Sequence, residues 1–117
     1  MLIVCYPKCT TCKKAQKWLA DNNISFEERN IKEERPSADE LKKWITLSKL
    51  PVRRFFNTSG MLYREMQLKE KLPGMSDEEM ISLLSSDGML VKRPILVNDE
   101  TVLVGFKEDL WKEMLLK

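Results

Sequence analysis

The alternation of apolar and polar residues at the start of the chain predicts a strand, a helix and a second strand. Residues 2–6 form a short continuous apolar run, which is typical of a strand buried on both faces. Apolar residues then recur at helical spacing over residues 10–22, and the polar run at 21–23 ends that period. Residues 24–31 alternate apolar and polar side chains, as a strand does. This order is typical of a parallel βαβ unit.

The middle of the chain has helical periods instead. Two segments, 35–48 and 76–88, carry apolar residues at helical spacing, and each contains a serine followed three residues later by a glutamate. That pair is typical of a capping box at the start of a helix. Between these segments, residues 49–60 predict a short helix that ends in a turn. We therefore expect a helical insertion over about 36–88.

After Gly88 the helical spacing of apolar residues gives way to a pattern typical of strands. Residues 94–99 and 101–106 are apolar and β-branched, and the polar residues between the two runs predict a hairpin. Residues 107–117 predict a closing amphipathic helix. The residues expected to face inward from that helix are Leu110, Trp111, Met114 and Leu115.

The order βαβ, helices, ββα predicts an α/β fold with a mixed sheet of about four strands flanked by helices. A chain of 117 residues is long enough for one domain to bury a core without a metal or a disulfide. We expect a single domain over 1–117, with its sheet core at about 1–35 and 89–117.

Charge and apolar segments narrow the class of protein. Twenty Lys and Arg residues against eighteen Asp and Glu give a formal charge of +2, spread along the chain without a basic block. This balance does not indicate a protein that binds nucleic acid directly. No apolar stretch approaches membrane-spanning length, and the amino terminus lacks a signal-peptide pattern. We therefore expect no membrane partner. An odd number of cysteines, three, fits a reducing compartment, so we expect a cytoplasmic protein.

Cys9 and Cys12 form a C-x-x-C motif where the first predicted strand passes into the first helix. A zinc site needs four ligands, but the chain has no histidine and only one further cysteine, Cys5, in the predicted buried strand. A structural disulfide across so short a loop would stabilise little. A C-x-x-C at this junction of a βαβ unit resembles the thioredoxin-like pattern. We therefore interpret the pair as redox active and expect no metal.

Cys9 is the candidate nucleophile and Cys12 the candidate resolving thiol. A sulfur at a helix start faces unpaired N–H groups and the positive end of the helix dipole, which stabilise thiolate over thiol. Cys12 lies one turn further on the same face, from which it can attack a mixed disulfide at Cys9. The alternative is that both are ordinary small apolar residues. For Cys5, core packing is the better interpretation.

Two basic segments are candidates to complete the site. Arg93 immediately precedes Pro94, and a proline that opens a strand can be cis. Thioredoxin-like folds place a cis-proline beside the reactive cysteine, which implies that Pro94 sets the substrate groove and Arg93 points toward the sulfur. Arg53 and Arg54 offer planar guanidinium groups that can bind an oxyanion. Arg54 is explained equally well as a solvated surface residue.

Four motifs carry a resemblance to a known family. They are YPKCTTCKKAQKWL (6–19), VRRFFNTSG (52–60), KRPILV (92–97) and VGFKEDLWKEML (104–115). Together they resemble the arsenate-reductase/Spx (ArsC/Spx) family of thioredoxin-like proteins, over essentially the whole chain. The first and third motifs are the specific ones.

The resemblance implies roles for individual residues. In glutaredoxin-coupled arsenate reductases of this family, one cysteine attacks arsenate and three arginines hold the oxyanion. Cys9 matches that cysteine, Arg53 the first arginine, and Arg93 the arginine before the proline. With Cys12, assigned from its spacing, the catalytic candidates are Cys9, Cys12 and Arg93. The candidates for substrate or anion binding are Arg53, Thr10, Thr11 and Pro94.

Three departures from the reductase pattern favour dithiol chemistry. The third arginine, expected after the last strand, is replaced by Gly105 and Phe106, which should weaken oxyanion binding. Cys5 stands where the reductases have a histidine, and Cys12 where they have a serine. A second thiol allows an internal disulfide, as in Spx-type regulators. In those proteins a C-x-x-C switch controls binding to the carboxy-terminal domain of the RNA polymerase alpha subunit.

Three functions from different classes follow. The first is an arsenate reductase-like thiol–disulfide oxidoreductase without a bound cofactor, reduced by a small thiol or a redox protein: glutathione, glutaredoxin or thioredoxin. The second is a redox-sensing transcriptional regulator that contacts the RNA polymerase alpha subunit and does not read nucleic acid directly. The third is a binding module whose cysteines are vestigial.

Overall fold

A four-stranded mixed sheet forms the centre of the protein in a computed structural model that describes residues 1–116. The strands are β1 (Leu2–Cys5), β2 (Glu27–Asn30), β3 (Ile95–Val97) and β4 (Val102–Val104), in the spatial order β2-β1-β3-β4. β1 pairs with β2 in parallel, whereas β3 runs antiparallel to both β1 and β4. The predicted mixed sheet of about four strands and its terminal hairpin are confirmed.

Helices cover both faces of the sheet. Within residues 1–116 the α-helices are α1 (Thr10–Asp21), α2 (Ala38–Ser48), α3 (Met61–Glu65), α4 (Leu68–Lys71), α5 (Asp77–Ser86) and α6 (Glu108–Leu115). Short 3-10 helices span Val52–Phe55, Leu72–Gly74 and Gly88–Leu90. The helices α2 to α5 fall between β2 and β3, where the sequence predicts a helical insertion.

Both predicted capping boxes are confirmed, and they explain where two of these helices begin. The Ser37 side chain accepts a hydrogen bond from the Glu40 backbone N–H at 3.1 Å, and the Glu40 carboxylate accepts one from the Ser37 N–H at 3.0 Å. Ser76 and Glu79 make the same reciprocal pair at the start of α5. Each box satisfies two backbone donors that the first helical turn leaves without a partner.

Each strand sends alternate side chains to the two faces of the sheet. Ile3 and Cys5 of β1 join a cluster with buried residues of α1 and α6, including Leu19 and Trp111. Val4 points to the opposite face, into a larger cluster that includes residues of α2 and α5. Because both faces of β1 are covered, its sequence is continuously apolar.

The predicted inward face of the last helix is partly wrong. Trp111 is fully buried and Leu115 is partly buried, but Leu110 and Met114 are 41% and 44% exposed. Trp111 and Leu115 are four residues apart and lie on one side of α6, since a helix places such residues above one another. α6 therefore meets the core along a narrower stripe than predicted.

The second strand is shorter than predicted. It forms only over Glu27–Asn30, at the edge of the sheet, while Ile24 and Phe26 pack against the cluster on the α1 side. No helix in the described part of the chain is long and apolar enough to cross a membrane.

Candidate redox site

Cys9 occupies the N-cap position of α1. Its backbone is extended, with φ −86° and ψ 119°, and its side chain makes no capping hydrogen bond. The Cys9 N–H donates to the Tyr6 carbonyl at 2.9 Å, which closes a turn between the end of β1 and the start of α1. The partly exposed thiol therefore lies at the positive end of the helix dipole.

Cys12 lies in the first turn of α1 and is 1% exposed. A side-chain hydrogen bond with Cys5, together with burial, raises the pKa of the Cys12 thiol far above its ordinary value. The Tyr6 backbone and the Cys9 side chain act in the opposite direction, by a smaller amount. Cys12 is thus held as a neutral thiol between two other sulfurs.

The three sulfurs belong to one apolar cluster between the sheet and α1. Cys5 ends β1 and is fully buried, as the core-packing interpretation expects, and Cys9 packs against the same cluster from its edge. All three cysteines are free thiols. No group of three side chains of the metal-binding types within residues 1–116 is arranged to hold a metal ion. The cluster offers one accessible sulfur and two that are hidden from solvent.

Arg93 brings a positive charge to this region. Its guanidinium carbon lies 5.2 Å from the centroid of the Tyr6 ring, which is cation–π distance. Its Nη1 atom is buried and has no hydrogen-bond partner within the part of the chain that the structure describes. Leaving such a donor unsatisfied costs about 1–3 kcal/mol. An anion bound beside it would remove that cost.

The peptide bond between Arg93 and Pro94 is cis, and Pro94 is buried. The Pro94 carbonyl accepts a hydrogen bond from the Gly105 N–H at 2.8 Å, and the Gly105 carbonyl accepts one from the Trp111 indole at 3.2 Å. Gly105 has a φ of +75°, a left-handed conformation that an arginine would adopt only with strain. This backbone geometry explains the glycine at the place where the family resemblance predicts a third arginine.

A groove of about 760 Å³ runs past Cys9. Its lining side chains include four cations, Arg54, Lys92, Arg93 and Lys107, and no carboxylate among the described residues. Of the predicted site residues, Cys9, Thr11 and Arg93 line the groove. Cys12 is buried behind Cys9, and Pro94 is buried behind Arg93. Thr10 is exposed outside the lining.

Arg54, rather than the predicted Arg53, contributes the guanidinium from the middle of the chain. The 3-10 helix Val52–Phe55 buries Val52 and Phe55, and Arg53 is exposed outside the groove. Phe56 forms an isolated antiparallel bridge with Val91. That bridge holds the 3-10 helix against the segment that leads to Arg93.

Backbone hydrogen bonds on both sides of the bridge reinforce it. The Asn57 N–H donates to the Leu90 carbonyl at 2.8 Å, and the Lys92 N–H donates to the Phe55 carbonyl at 2.8 Å. These bonds join segments that are far apart in the sequence, so the local pattern gives no sign of them. Arg53 and Arg54 both lie between the buried residues Val52 and Phe55 and are both exposed, so no local signal distinguishes them.

Lys92 and Lys107 are groove residues that sequence reasoning does not identify. Lys92 belongs to the KRPILV motif and Lys107 begins the predicted closing helix, but neither pattern indicates a place in the site. Lys107 follows Gly105 and Phe106, the two residues found where a third arginine is expected. A cation therefore lies close to that position, two residues further along the chain.

Comparison with known proteins agrees with this architecture. The family model described as "ArsC family" matches residues 5–114. A solved structure of an ArsC-family-related protein from Bacteroides fragilis has a TM-score of 0.94 and 52% identity, covering 97% of this chain and 95% of that one. The thioredoxin-like fold expected from the resemblance is confirmed.

Two curated proteins illustrate the range of relatives. The uncharacterized protein YusI of Bacillus subtilis is 54% identical over 108 residues, which is 92% of each chain. The global transcriptional regulator Spx 1 of Oceanobacillus iheyensis is 31% identical over 104 residues, 88% of this chain and 77% of that protein. The family model matches residues 5–114, the peptide bond before Pro94 is cis, and a cysteine precedes α1. The chain therefore belongs to the ArsC family.

Proposed function

We propose that the protein is a thiol–disulfide oxidoreductase in which Cys9 is the nucleophile and Cys12 the resolving thiol. The observation that carries this proposal is the pairing of a partly exposed sulfur at a helix N-terminus with a buried thiol one turn away. The first is placed to attack, and the second is protected from competing reactions. A cytoplasmic location, where dithiols stay reduced between turnovers, suits such a protein.

The reaction has two exchange steps. In the first, the Cys9 thiolate attacks one sulfur of a substrate disulfide, and the bonding electron pair leaves with the other sulfur as a thiolate. In the second, Cys12 gives up its proton to that thiolate and attacks the Cys9 sulfur, and the electron pair of the mixed disulfide bond leaves with the remaining substrate sulfur. The products are a Cys9–Cys12 disulfide, one substrate thiol and one substrate thiolate, so two electrons pass from protein to substrate.

The raised pKa of Cys12 suits this order of events. A neutral Cys12 does not compete with Cys9 for the substrate, because the thiolate is the attacking form. After the first step, the departing thiolate supplies a base close to Cys12. Glutathione, glutaredoxin or thioredoxin would then reduce the internal disulfide, and no bound cofactor is required.

Arg93 would stabilise the Cys9 thiolate and orient an anionic substrate. Its buried, unpartnered Nη1 supports this role, because an acceptor beside that atom would complete its hydrogen bonding. Arsenate would be the poorer substrate. The groove holds guanidinium groups from Arg54 and Arg93 in place of the three that the family's reductases use.

The test compares disulfide reduction with arsenate turnover for the purified protein. We expect wild type to reduce a disulfide faster than arsenate. Cys9→Ser should abolish both activities, and Cys12→Ser should form a mixed disulfide that accumulates. Rapid arsenate reduction that is unaffected by Cys12→Ser would overturn the dithiol mechanism, and so would disulfide reduction that survives Cys9→Ser.

A redox-dependent regulator is the second candidate function. The match to a global transcriptional regulator over 88% of this chain supports it. In this role, oxidation of Cys9 and Cys12 would change binding to the carboxy-terminal domain of the RNA polymerase alpha subunit. A pull-down with reduced and oxidised protein tests this candidate. Binding that depends on oxidation and is lost in Cys9→Ser would favour the regulator, whereas absent binding in both states would exclude it.

A further inference from the structure

The groove beside Cys9 has an unbalanced charge. Three ion pairs are present among the described residues, and none of them lies in the groove: Arg29 with Glu40, Lys17 with Asp21, and Lys112 with Glu108. The four groove cations, Arg54, Lys92, Arg93 and Lys107, make no such pair within residues 1–116. A concave surface lined by charge of one sign attracts ligands of the opposite sign.

The same groove has apolar walls. Met61, at the start of α3, is 74% exposed. This is the highest value among the exposed large apolar side chains of residues 1–116. It lines the groove together with Leu50, Leu62, Met89 and Phe106. Apolar contact next to unpaired cations fits a ligand that carries both carboxylates and hydrocarbon side chains.

The extent of the groove argues for a ligand larger than a single oxyanion. Its walls come from four separate segments of the chain, at 9–11, 50–62, 89–93 and 104–107. A volume of about 760 Å³ is in the range that encloses a ligand with many heavy atoms. One oxyanion would fill a small part of this volume and leave most of the walls uncovered.

We infer that this groove binds an acidic polypeptide segment that flanks the disulfide attacked by Cys9. The inference rests on the proposed function and adds a substrate class to it: protein disulfides with aspartate or glutamate and an apolar residue near the reactive cysteine. Carboxylates of the segment pair with Arg54, Lys92, Arg93 and Lys107, and its apolar side chain packs against Met61. Charge complementarity selects this occupant over a neutral or basic segment.

The first measurement is binding to the Cys9→Ser variant, which cannot react at position 9. Fluorescein-labelled peptides of equal length, with serine in place of their cysteine, carry acidic, neutral or basic flanks. We expect the acidic peptide to bind at least about tenfold more tightly than the basic one, with binding weakened by salt. Equal binding of the three peptides would overturn the inference.

The second measurement assigns the binding to the groove. Adding Arg54→Gln, Lys92→Gln and Lys107→Gln to Cys9→Ser should remove the preference for the acidic peptide. A matched control carries Lys32→Gln, Lys42→Gln and Lys69→Gln, which remove the same charge from exposed positions outside the groove. Loss of the preference in both variants would show a general charge effect and overturn the inference.

The third measurement separates a polypeptide from a small acidic disulfide. Cysteine peptides with the same three flanks are activated as mixed disulfides with thionitrobenzoate, and its release by wild-type protein is followed by absorbance. We expect the acidic peptide to react fastest. Oxidised glutathione that displaces the labelled peptide at equal concentration would overturn the inference. If no disulfide reacts, the proposed function fails, while the binding measurements still decide whether the groove selects acidic peptides.

Discussion

The guanidinium of Arg93 lies over the ring of Tyr6, with 5.2 Å between the guanidinium carbon and the ring centroid. Tyr6 also accepts the backbone hydrogen bond from Cys9 that closes the turn before α1. Tyr6 thus contacts Cys9 through its backbone and Arg93 through its side chain. The turn that precedes α1 therefore contacts both Cys9 and Arg93.

Replacing Tyr6 should affect Arg93 more than the fold. We expect Tyr6→Leu to lower the rate at which Cys9 reacts with an anionic disulfide by about two- to tenfold, because a cation–π contact contributes about 0.5–2 kcal/mol. Tyr6→Phe keeps the ring and should react like wild type. Stopped-flow measurement of thionitrobenzoate release gives both rates. Identical rates for Leu and Phe would show that the ring does not orient Arg93.

Removing the Cys5 thiol should make Cys12 easier to deprotonate. Its hydrogen bond is the largest cause of the raised pKa of Cys12, so Cys5→Ala in a Cys9→Ser background should lower that pKa. The Cβ carbon shift of Cys12, followed by NMR as the pH rises, reports the titration without requiring a reagent to reach the buried sulfur. If Cys5→Ala leaves the titration of Cys12 unchanged, the hydrogen bond between Cys5 and Cys12 is contradicted. Cys5→Ser in the same background is the control that keeps a polar group at position 5.

The ion pair between Arg29 and Glu40 should make stability depend on pH. Two contacts, at 2.6 and 2.9 Å, join the edge strand β2 to α2, and Arg29 lowers the pKa of Glu40 from 4.5 to about 2. A group whose pKa falls on folding stabilises the protein above its unfolded pKa and loses that contribution as the pH drops toward the folded value. The contribution is therefore present at pH 7 and disappears between about pH 4.5 and 2.

Glu40→Gln tests this dependence, because glutamine can still serve in the capping box. We expect a loss of about 1–2 kcal/mol at pH 7, discounted for solvent because the Glu40 side chain is 39% exposed. Urea unfolding at pH 7 and near pH 2.5 should show the difference shrinking in acid. Asp21→Asn, which breaks the exposed pair with Lys17, is the control and should change stability much less. A pH-independent loss would refute the assignment.

Gly88 marks a close approach between the 3-10 helix Gly88–Leu90 and the end of β2. A Cβ at this position would lie 1.9 Å from the Ile31 carbonyl oxygen, a backbone atom that cannot move aside cheaply. We expect Gly88→Ala to lower the free energy of unfolding by about 1–3 kcal/mol or more, as overpacking does. Thermal or urea unfolding measures the loss.

Gly74→Ala provides the matched comparison for that substitution. A Cβ at Gly74 meets no atom within 4 Å, and the glycine lies in an exposed 3-10 turn. Alanine there should be neutral or slightly stabilising, because it reduces the freedom of the unfolded chain. If both variants lose the same stability, the cause is backbone propensity and not the contact with Ile31.

Local sequence patterns account for most of the elements. The apolar run of β1, the serine–glutamate pairs that cap α2 and α5, and the β-branched hairpin each depend on neighbours a few residues away. The pair of helices α3 and α4 carried no comparable signal, since each is only one turn or slightly longer. Short helices depend on packing more than on their own sequence.

The sequence by itself determined the order of the elements, the start of α1 at the cysteine pair and the proline beside Arg93, because these features depend on the spacing of adjacent residues. Only the tertiary structure decided that Arg54 faces the groove instead of Arg53, that Lys92 and Lys107 join it, and that Leu110 and Met114 face away from the core. The physical reason is the bridge between Phe56 and Val91 and the narrow contact of α6 with the sheet. Both contacts join residues far apart in the chain, so no local pattern encodes which side chains they bring beside Cys9.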